Sequence, residues 1–147
     1  MTFIDAVKTC FSKYVIFTDR ASRSEFWWFY LFVFVGCFIP VFGKIFFLVI
    51  FIPTIAVTNR RLHDVDRSGW WQVAPLSTVF LTIFLFVFEA NILATAAGLA
   101  ALVCTILLIV WLIRQGTSGP NRFGSDPLDG QNTAAKNYSP SSIPKVK

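Results

Sequence analysis

Three long apolar runs constrain the fold of this chain more than any other feature of its sequence. They cover residues 26–58, 70–88 and 91–113, and the last two are 19 and 23 residues long. A helix needs about 20 apolar residues to cross the hydrocarbon of a bilayer. Charged residues make up only 14% of the chain, against about 25% in soluble domains. The sequence therefore predicts an integral membrane protein and argues against the soluble, disordered, coiled-coil and disulfide-scaffold classes.

The first run is too long for one crossing and is expected to fold back on itself. Its 33 residues would form a helix of about 50 Å at about 1.5 Å per residue. Pro40, Gly43 and Lys44 interrupt the run, and Pro together with Gly is typical of a turn. A turn there leaves two arms of about 14 residues each, which are short for full spans. Two crossings and a re-entrant hairpin both remain open.

The basic residues indicate which segments share a side of the membrane. With four crossings, residues 1–25, 59–69 and 114–147 lie on one side and hold twelve of the thirteen Lys and Arg residues, Lys44 being the exception. Cytoplasmic segments carry such an excess of positive charge. We therefore predict an all-α integral membrane protein, a four-helix transmembrane bundle with both termini in the cytoplasm. The predicted spans are, approximately, residues 26–40, 45–58, 70–88 and 92–113.

The segment before the first span has the pattern of an amphipathic helix. Apolar residues recur at three- and four-residue spacing, and Lys8 and Lys13 lie elsewhere around the helix. Such a helix is typical of the membrane interface, with its lysines toward anionic headgroups; packing on the bundle is the alternative. The predicted domains are an interfacial helix at residues 1–18, a transmembrane domain at 19–128 and a disordered cytoplasmic tail at 129–147. After Phe123 the chain shifts to Gly, Ser, Pro, Asn and Lys with few apolar residues.

Other ligands receive little support from the composition. The net charge of +5 does not predict nucleic-acid binding, because the basic residues flank apolar runs. Cys10, Cys37 and Cys104 are far apart and form no CxxC pair. Two of them lie inside apolar runs, so the cysteines are predicted to be small buried apolar residues rather than disulfide partners or metal ligands. No cofactor is predicted.

Polar residues are concentrated in three motifs, which the predicted topology places together on the cytoplasmic side. Motif 1 covers residues 18–28. Ser22 followed three residues later by Glu25 is typical of a capping box at the start of a helix. The functional alternative is a phosphate clamp formed by Arg20 and Arg23, because Arg binds phosphate through two parallel hydrogen bonds.

Motif 2 covers residues 59–71 and contains the single histidine of the chain. His63 beside Asp64 is the candidate catalytic pair, because a carboxylate can orient an imidazole for acid–base chemistry or metal binding. A zinc site needs further ligands besides this one histidine, and no metal site is predicted. The plainer interpretation is a structural ion-pair network. Its members would be Arg60, Arg61, Asp64, Asp66 and Arg67.

Motif 3 covers residues 116–127, where three glycines and two prolines predict a fixed turn rather than a helix. Its candidate binding residues are Asn121, Arg122 and Asp126. Glycine-rich turns can present backbone N–H groups to an anion, but no GxxxxGK[ST] pattern is present. A structural cap that closes the bundle is therefore expected, with a phosphate cradle as the alternative.

The last span favours contact with another helix. Alanine and glycine predominate between residues 94 and 101, and small residues let two membrane helices approach closely. We therefore predict a homo-oligomer formed through this span. No charge within the predicted spans marks an ion path, which argues against an ion pump or a channel lined within one subunit.

Together the three motifs resemble those of the domain of unknown function 805 (DUF805) family of small bacterial inner-membrane proteins. The resemblance is carried, in the family's order, by RASRSEFW at residues 20–27, RRLHD at 60–64, DRSGWW at 66–71, GT at 116–117 and NRFGSDP at 121–127. It covers about residues 10–128 and implies a multi-pass protein of the bacterial cytoplasmic membrane. It supplies no established activity, substrate or cofactor. Between Trp71 and Gly116 this chain has room for two spans, whereas shorter members fit one.

Three functions remain open on this sequence. The first is a non-enzymatic membrane protein that binds a partner or an anionic phospholipid headgroup through a basic cytoplasmic face. The second is a small oligomeric transporter or channel component, and the third is a metal-assisted hydrolase that uses His63 and Asp64. The candidate binding residues are Arg20, Arg23, Glu25, Arg60, Arg61, Asp66, Arg67, Asn121, Arg122 and Asp126.

The shared sidedness of the motifs also predicts their spatial arrangement. All three lie on one side of the membrane and carry complementary charges. We therefore expect Arg23 or Glu25, His63, Asp64 and Arg122 to come within contact reach of one another.

Overall fold

The computed structural model describes residues 1–38 and 43–129, and within them it contains five α-helices, one 3-10 turn and no strand. The helices are α1 (Phe3–Ser12), α2 (Arg23–Cys37), α3 (Gly43–Asp64), α4 (Val73–Val87) and α5 (Asn91–Ile113), and the 3-10 turn at Gly69–Gln72 leads into α4. The predicted all-α class is confirmed. Beyond position 129, the predicted tail lies outside the residues that the structure describes.

The long helices form two antiparallel hairpins whose open ends meet. In the first hairpin α2 packs against α3, and Ala21 N donates to the Arg60 carbonyl at 3.0 Å. In the second, α4 packs against α5, and the Trp71 and Trp111 rings meet edge to face at 5.2 Å. Both hairpins therefore begin and end at one end of the molecule. We call it the motif end, formed by residues 19–25, 59–69 and 114–127.

The lengths of the helices give three candidate membrane spans rather than the four predicted. Three stretches are long and apolar enough, namely Ile45–Asp64, Gly69–Val87 and Asn91–Ile113. The last two agree with the predicted spans to within one residue at each end. α2 has only 15 residues, fewer than the roughly 20 of a full span, so the four-span count is not confirmed. The span predicted at 45–58 belongs to a longer helix, because α3 continues through motif 2 to Asp64.

The N-terminal helix is shorter than predicted and packs on the first hairpin. It starts with a capping box in which Asp5 N donates to the Thr2 hydroxyl at 3.3 Å and Thr2 N donates to the Asp5 carboxylate at 3.2 Å. It ends at Ser12 rather than near residue 18. The helix packs on α2, and its buried residues are Ala6 and Cys10. The interfacial location stays a prediction.

A proline inside α3 is accommodated by a side chain from outside the helix. Pro53 has no N–H, so the carbonyl of Val49 four residues earlier lacks its helical donor. The Tyr14 hydroxyl donates to that carbonyl instead. The segment after α1 thereby fixes the middle of α3.

The small-residue face of the last helix is used within the chain. Gly98 lies against Thr82 of α4, and a Cβ at position 98 would be 3.6 Å from the Thr82 methyl group. Ala94, Ala97 and Ala101 are buried. Close approach of two helices is thus achieved between α4 and α5. The homo-oligomer through this helix stays a prediction.

The buried core lies toward the motif end, and apolar side chains cover much of the rest of the surface. Core residues from four helices pack together, including Cys10, Phe26, Phe29, Val57, Leu62 and Leu112. In contrast, Leu48 is 73% exposed, Phe80 72% and Ile92 86%. Such continuous apolar exposure is rare in soluble proteins and is suited to a bilayer.

Candidate functional site

The centre of the motif end is Asp64, the last residue of α3. Its side chain is only 6% exposed. One carboxylate oxygen, Oδ1, accepts from Arg20 Nε at 3.1 Å and from Arg20 Nη2 at 2.9 Å. The other, Oδ2, accepts from Arg61 Nη1. Both arginine side chains are fully buried, so one carboxylate bridges two buried guanidinium groups.

Arg20 also joins motif 1 to motif 3. Its Nη1 donates to the Gly119 carbonyl at 2.7 Å and to the Gly124 carbonyl at 3.3 Å. Its Nη2 donates to the Thr117 carbonyl at 2.6 Å. Arg20 was one of the two arginines of the alternative phosphate clamp. Its guanidinium instead binds backbone carbonyls and Asp64.

Arg61 connects motif 2 to the end of the last helix. Its Nε donates to the Leu112 carbonyl at 3.0 Å, and its Nη2 donates to the Arg114 carbonyl. The last carbonyls of a helix have no partner within the helix and favour a cation. Arg61 therefore caps α5 from a neighbouring hairpin.

Motif 3 folds around the end of α3. Thr117 donates to the Asp64 carbonyl through its backbone N–H at 2.8 Å and its hydroxyl at 3.1 Å. Asn121 Nδ2 donates to the His63 carbonyl at 2.9 Å. Gly116 is required by proximity, since a Cβ there would lie 2.0 Å from Asp64 Oδ2. The predicted turn is confirmed, and its role in closing the bundle is visible in these contacts.

A second buried ion pair joins α2 to α3. Arg60 Nη1 donates to Glu25 Oε1 at 2.5 Å, and the two side chains are 0% and 5% exposed. Arg60 Nε and Nη2 have no hydrogen-bond partner in the part of the chain that the structure describes. Ser22 caps α2 as predicted, its hydroxyl accepting from Glu25 N at 3.3 Å. The Glu25 carboxylate binds Arg60 instead of completing the capping box.

The Cys10 thiol lies beside this ion pair and is completely buried. It donates to Glu25 Oε1 at 3.8 Å. Burial raises the pKa of Cys10 to about 12, and the Glu25 carboxylate adds to the effect by disfavouring the thiolate. Cys10 is therefore a neutral packing residue in the folded protein. The prediction of burial is wrong for Cys37, which is exposed, and Cys104 is only partly buried.

We expect Cys10 to resist alkylation in a variant that carries Cys37→Ser and Cys104→Ser. At pH 8 a thiol with this pKa is only about 10⁻⁴ ionised, so iodoacetamide should react roughly a thousandfold more slowly than in the unfolded chain. Because the folded-state pKa is raised, the thiol's contribution to stability is present below about pH 8.5 and is lost as the pH rises toward 12. The measurement is the alkylation rate against pH, in mild detergent and in denaturant. A folded-state rate that levels off near pH 9 would contradict the assigned environment.

His63 packs and orients motif 3 and does not pair with the neighbouring carboxylate. Its ring stacks on Phe123 with centroids 3.9 Å apart and planes 4° from parallel. Nδ1 lies 3.2 Å from the Asp19 carbonyl, and Nε2 lies 3.4 Å from Asn59 Nδ2. Within residues 1–38 and 43–129 no hydrogen bond joins His63 to Asp64. The two candidate catalytic side chains therefore serve different partners.

The outer part of the motif end carries exposed charges. Arg122 Nε pairs with Asp66 Oδ1 at 2.9 Å, but their side chains are 62% and 49% exposed. Such a pair contributes little stability. Arg122 also lies over the Phe123 ring at 4.7 Å, and Arg67 lies over the Trp111 ring at 5.1 Å. These arginines remain accessible, unlike those bound to Asp64.

Asp126 stabilises the turn of motif 3 through backbone hydrogen bonds. Its carboxylate accepts from Leu128 N at 2.9 Å and from Gly119 N at 3.0 Å. These two hydrogen bonds lower the pKa of Asp126. The residue is therefore a local cap of the turn.

The structure brings the three motifs together as predicted, but with different pairs. Glu25 binds Arg60, Asp64 binds Arg20 and Arg61, and Arg122 binds Asp66. Arg23 is exposed. Sequence reasoning missed Cys10, Thr117 and Phe123 as members of the site. The last two lie in motif 3, and their presence in a recurring motif is the signal that could have identified them.

No group of three or more His, Cys, Asp or Glu side chains suited to a metal ion occurs in the described ranges 1–38 and 43–129.

Comparisons with known proteins place the chain in a family of unknown function, with relatives that include inner membrane proteins. The family described as "Protein of unknown function (DUF805)" matches residues 35–125. Inner membrane protein YhaI of Escherichia coli strain K12 is 31% identical over 132 residues, which cover 82% of this chain and 92% of that protein. Inner membrane protein YhaH of the same strain is 31% identical over 131 residues, covering 78% and 89%. Uncharacterized protein YiiR is 35% identical over 81 residues, covering 52% and 54%. No solved structure matches the chain.

Proposed function

The chain belongs to the DUF805 family of proteins of unknown function, and from this premise we propose that it is a non-enzymatic inner-membrane protein that binds anionic lipid headgroups at its motif end. The observation that carries the proposal is a division among its arginines. Some are buried and neutralised by carboxylates, whereas others at the same end are exposed and have no ion pair.

The contacts that Asp64 makes with Arg20 and Thr117 support two hairpins, each of which returns to the side of the membrane on which it starts. Arg20 precedes α2 and Asp64 ends α3, and the two residues form a buried ion pair. An even number of crossings between them satisfies this contact. Thr117 follows α5 and binds the Asp64 carbonyl, which favours an even number in the second hairpin as well.

Four crossings follow if α2 spans together with α3. Its 15 residues reach about 22 Å at about 1.5 Å per residue. Local thinning of the bilayer and interfacial flanking residues accommodate such a short helix. The excess of Lys and Arg near the motif end then assigns this end, and both termini, to the cytoplasm.

The exposed cations of the motif end form what we call the rim: Arg23, Arg67 and Arg114. All three are exposed, and none has an ion pair within the described part of the chain. Four exposed tryptophans lie at the same end and are typical of the headgroup region. They are Trp27, Trp28, Trp70 and Trp71.

The buried arginines do not take part in headgroup binding. Arg20, Arg60 and Arg61 are at most 2% exposed, and each is bound to Asp64 or Glu25. A phosphate could reach them only if these ion pairs broke. Of the predicted binding residues, Arg23 and Arg67 therefore take the ligand-binding role, and the buried set organises the surface that presents them.

Removing the rim charges is expected to abolish the preference for anionic lipid. A basic residue near an anionic surface contributes about 1 kcal/mol, so the variant Arg23→Gln/Arg67→Gln/Arg114→Gln should bind phosphatidylglycerol and phosphatidylcholine equally. The measurement is the quenching of tryptophan fluorescence by brominated forms of the two lipids in vesicles of mixed composition. The four exposed tryptophans at the motif end serve as natural reporters of the neighbouring lipid.

The matched control is Arg122→Gln, which removes an exposed arginine that is already paired with Asp66. It should retain most of the preference of the wild-type protein. Equal quenching by both lipids in the wild type, or an unchanged preference in the triple variant, would refute the proposal.

A further inference from the structure

Two adjoining cavities lie between the hairpins. The first has a volume of about 280 Å³ and is lined by all four long helices, through Tyr30, Phe51, Leu76 and Leu108 among others. The second has a volume of about 350 Å³ and is lined by residues of α3, the 3-10 turn and the start of α4, with Phe17. Both are lined by Ile55 and Gln72. We call the two together the interhairpin groove.

The polar groups of this groove are satisfied internally, with one exception. The Tyr30 and Thr58 hydroxyls lie 2.9 Å apart, and the Thr54 and Thr58 hydroxyls donate to carbonyls one turn earlier. Gln72 is only partly buried, and its side chain has no hydrogen bond to any described residue. Among the described residues, the buried side-chain atoms that lack a hydrogen-bond partner do not include this amide, so it is accessible to an occupant of the groove. It therefore indicates where a polar part of an occupant would bind.

The position of Gln72 suits the ester region of a phospholipid. It directly follows Trp70 and Trp71, whose rings are typical of the headgroup level, and Pro75 and Leu76 follow it into the apolar part of α4. Arg67 is exposed and lies over the Trp111 ring at 5.1 Å, one turn of α5 from Leu108 in the wall of the first cavity. From the headgroup inward, the site thus has a cation beside the groove, then an amide donor and apolar walls.

We propose that the interhairpin groove holds one diacyl glycerophospholipid. Its acyl chain lies between the hairpins, an ester carbonyl accepts from Gln72, and its phosphate is near Arg67. The inference rests on the membrane orientation of the proposed function, but the site is distinct from headgroup binding at the rim as a whole. An unfilled apolar groove loses dispersion contacts along its walls, and the acyl chain restores them.

Charge disfavours a second copy of the chain as the occupant. A twofold-symmetric contact places the same surface of both copies together. It would place two exposed, positively charged Arg67 side chains at one interface. A phospholipid brings a phosphate to this position instead.

The test is native mass spectrometry of the full chain released from nanodiscs of phosphatidylethanolamine and phosphatidylglycerol. The wild-type protein should retain one phospholipid per chain. Leu76→Trp fills the groove from an exposed position on α4 and should lower the retained fraction at least about tenfold. Gln72→Leu removes one neutral hydrogen bond and should lower it about fivefold.

The matched control is Phe80→Trp. Phe80 is one turn further along α4, is 72% exposed where Leu76 is 67%, and does not line the groove. It should retain the lipid as the wild type does. Equal retention in the two tryptophan variants, or a wild-type protein without lipid, would overturn the inference. A wild-type dimer that Leu76→Trp separates would overturn it too, since a second copy would then occupy the groove.

The two proposals fail in different ways. Leu76→Trp leaves the rim intact, so it should lose the retained lipid while it still prefers brominated phosphatidylglycerol. If the rim proposal alone is wrong, the wild-type protein retains one lipid but shows no anionic preference.

Discussion

Replacing Asp64 by Asn is expected to lower the free energy of unfolding by about 3–5 kcal/mol, because it leaves two buried guanidinium groups without their shared carboxylate. Arg20 and Arg61 both bind this carboxylate, and neither side chain is exposed. The same change also weakens the contact between α3 and motif 3. The measurement is reversible unfolding in mild detergent, followed by circular dichroism.

The matched control for Asp64→Asn lies two residues away. Asp66 also pairs with an arginine, but that pair is about half exposed, so Asp66→Asn should change the free energy of unfolding by less than about 1 kcal/mol. If both substitutions have the same small effect, the ion-pair network does not hold the motif end together.

The second large effect is expected from Glu25→Gln, which leaves Arg60 charged, buried and unpaired. Arg60 already has two nitrogen atoms without partners among the described residues, so the loss of its only carboxylate should cost about 3–5 kcal/mol. The measurement is again unfolding in mild detergent. Expression level in the membrane is a useful second readout.

A double variant separates the charge effect from a change of shape. Arg60→Met removes the stranded charge and keeps an unbranched side chain, so Glu25→Gln/Arg60→Met should be more stable than Glu25→Gln alone. Additive losses in the double variant would show that burial of an unpaired charge is not the cause.

The membrane helices of the second hairpin could be predicted closely from the sequence. The runs at 70–88 and 91–113 depend only on residue type and length, and the structure places α4 with its 3-10 turn and α5 over almost the same residues. The common end of the three motifs could also be predicted, because the distribution of Lys and Arg determines sidedness. Neither inference needs the partner of any single side chain.

The end of α3 could not be predicted from residue type and run length alone. The predicted span ended at residue 58 because polar residues follow it. The helix continues to Asp64, and its charged residues are buried by contacts with other segments. Arg60 and Asp64 pair with Glu25 and Arg20, and Arg61 binds carbonyls at the end of α5. A prediction that counts only uncharged residues therefore ends before the helix does.

The pairing of charges could not be predicted either. Arg20 binds a carbonyl 99 residues later, and its choice of Asp64 depends on the rotation of α3 about its axis. His63 and Asp64 are adjacent in sequence, which suggested a pair. Adjacent residues on a helix point about 100° apart, and this rotation sends them to Phe123 and to Arg20.

The motif end therefore gives most of the charged residues in the three motifs a structural role. Replacing a buried ion pair by apolar residues is often neutral or stabilising, so such pairs are weak evidence for stability. Their geometry here fixes the relative register of α2, α3 and α5 through one carboxylate and two arginines. We infer that this arrangement holds the rim cations and the interhairpin groove in place.

The proposed cytoplasmic location of the three motifs is tested most directly by labelling single cysteines in cells. Thr18→Cys, Glu89→Cys and Ser118→Cys would each be placed in a chain without its natural cysteines and treated with a membrane-impermeant maleimide. All three positions are exposed. With only the outer membrane opened, the account predicts labelling of Glu89→Cys alone. Thr18→Cys and Ser118→Cys should react once the inner membrane is opened, and labelling of Ser118→Cys before that step would contradict the account.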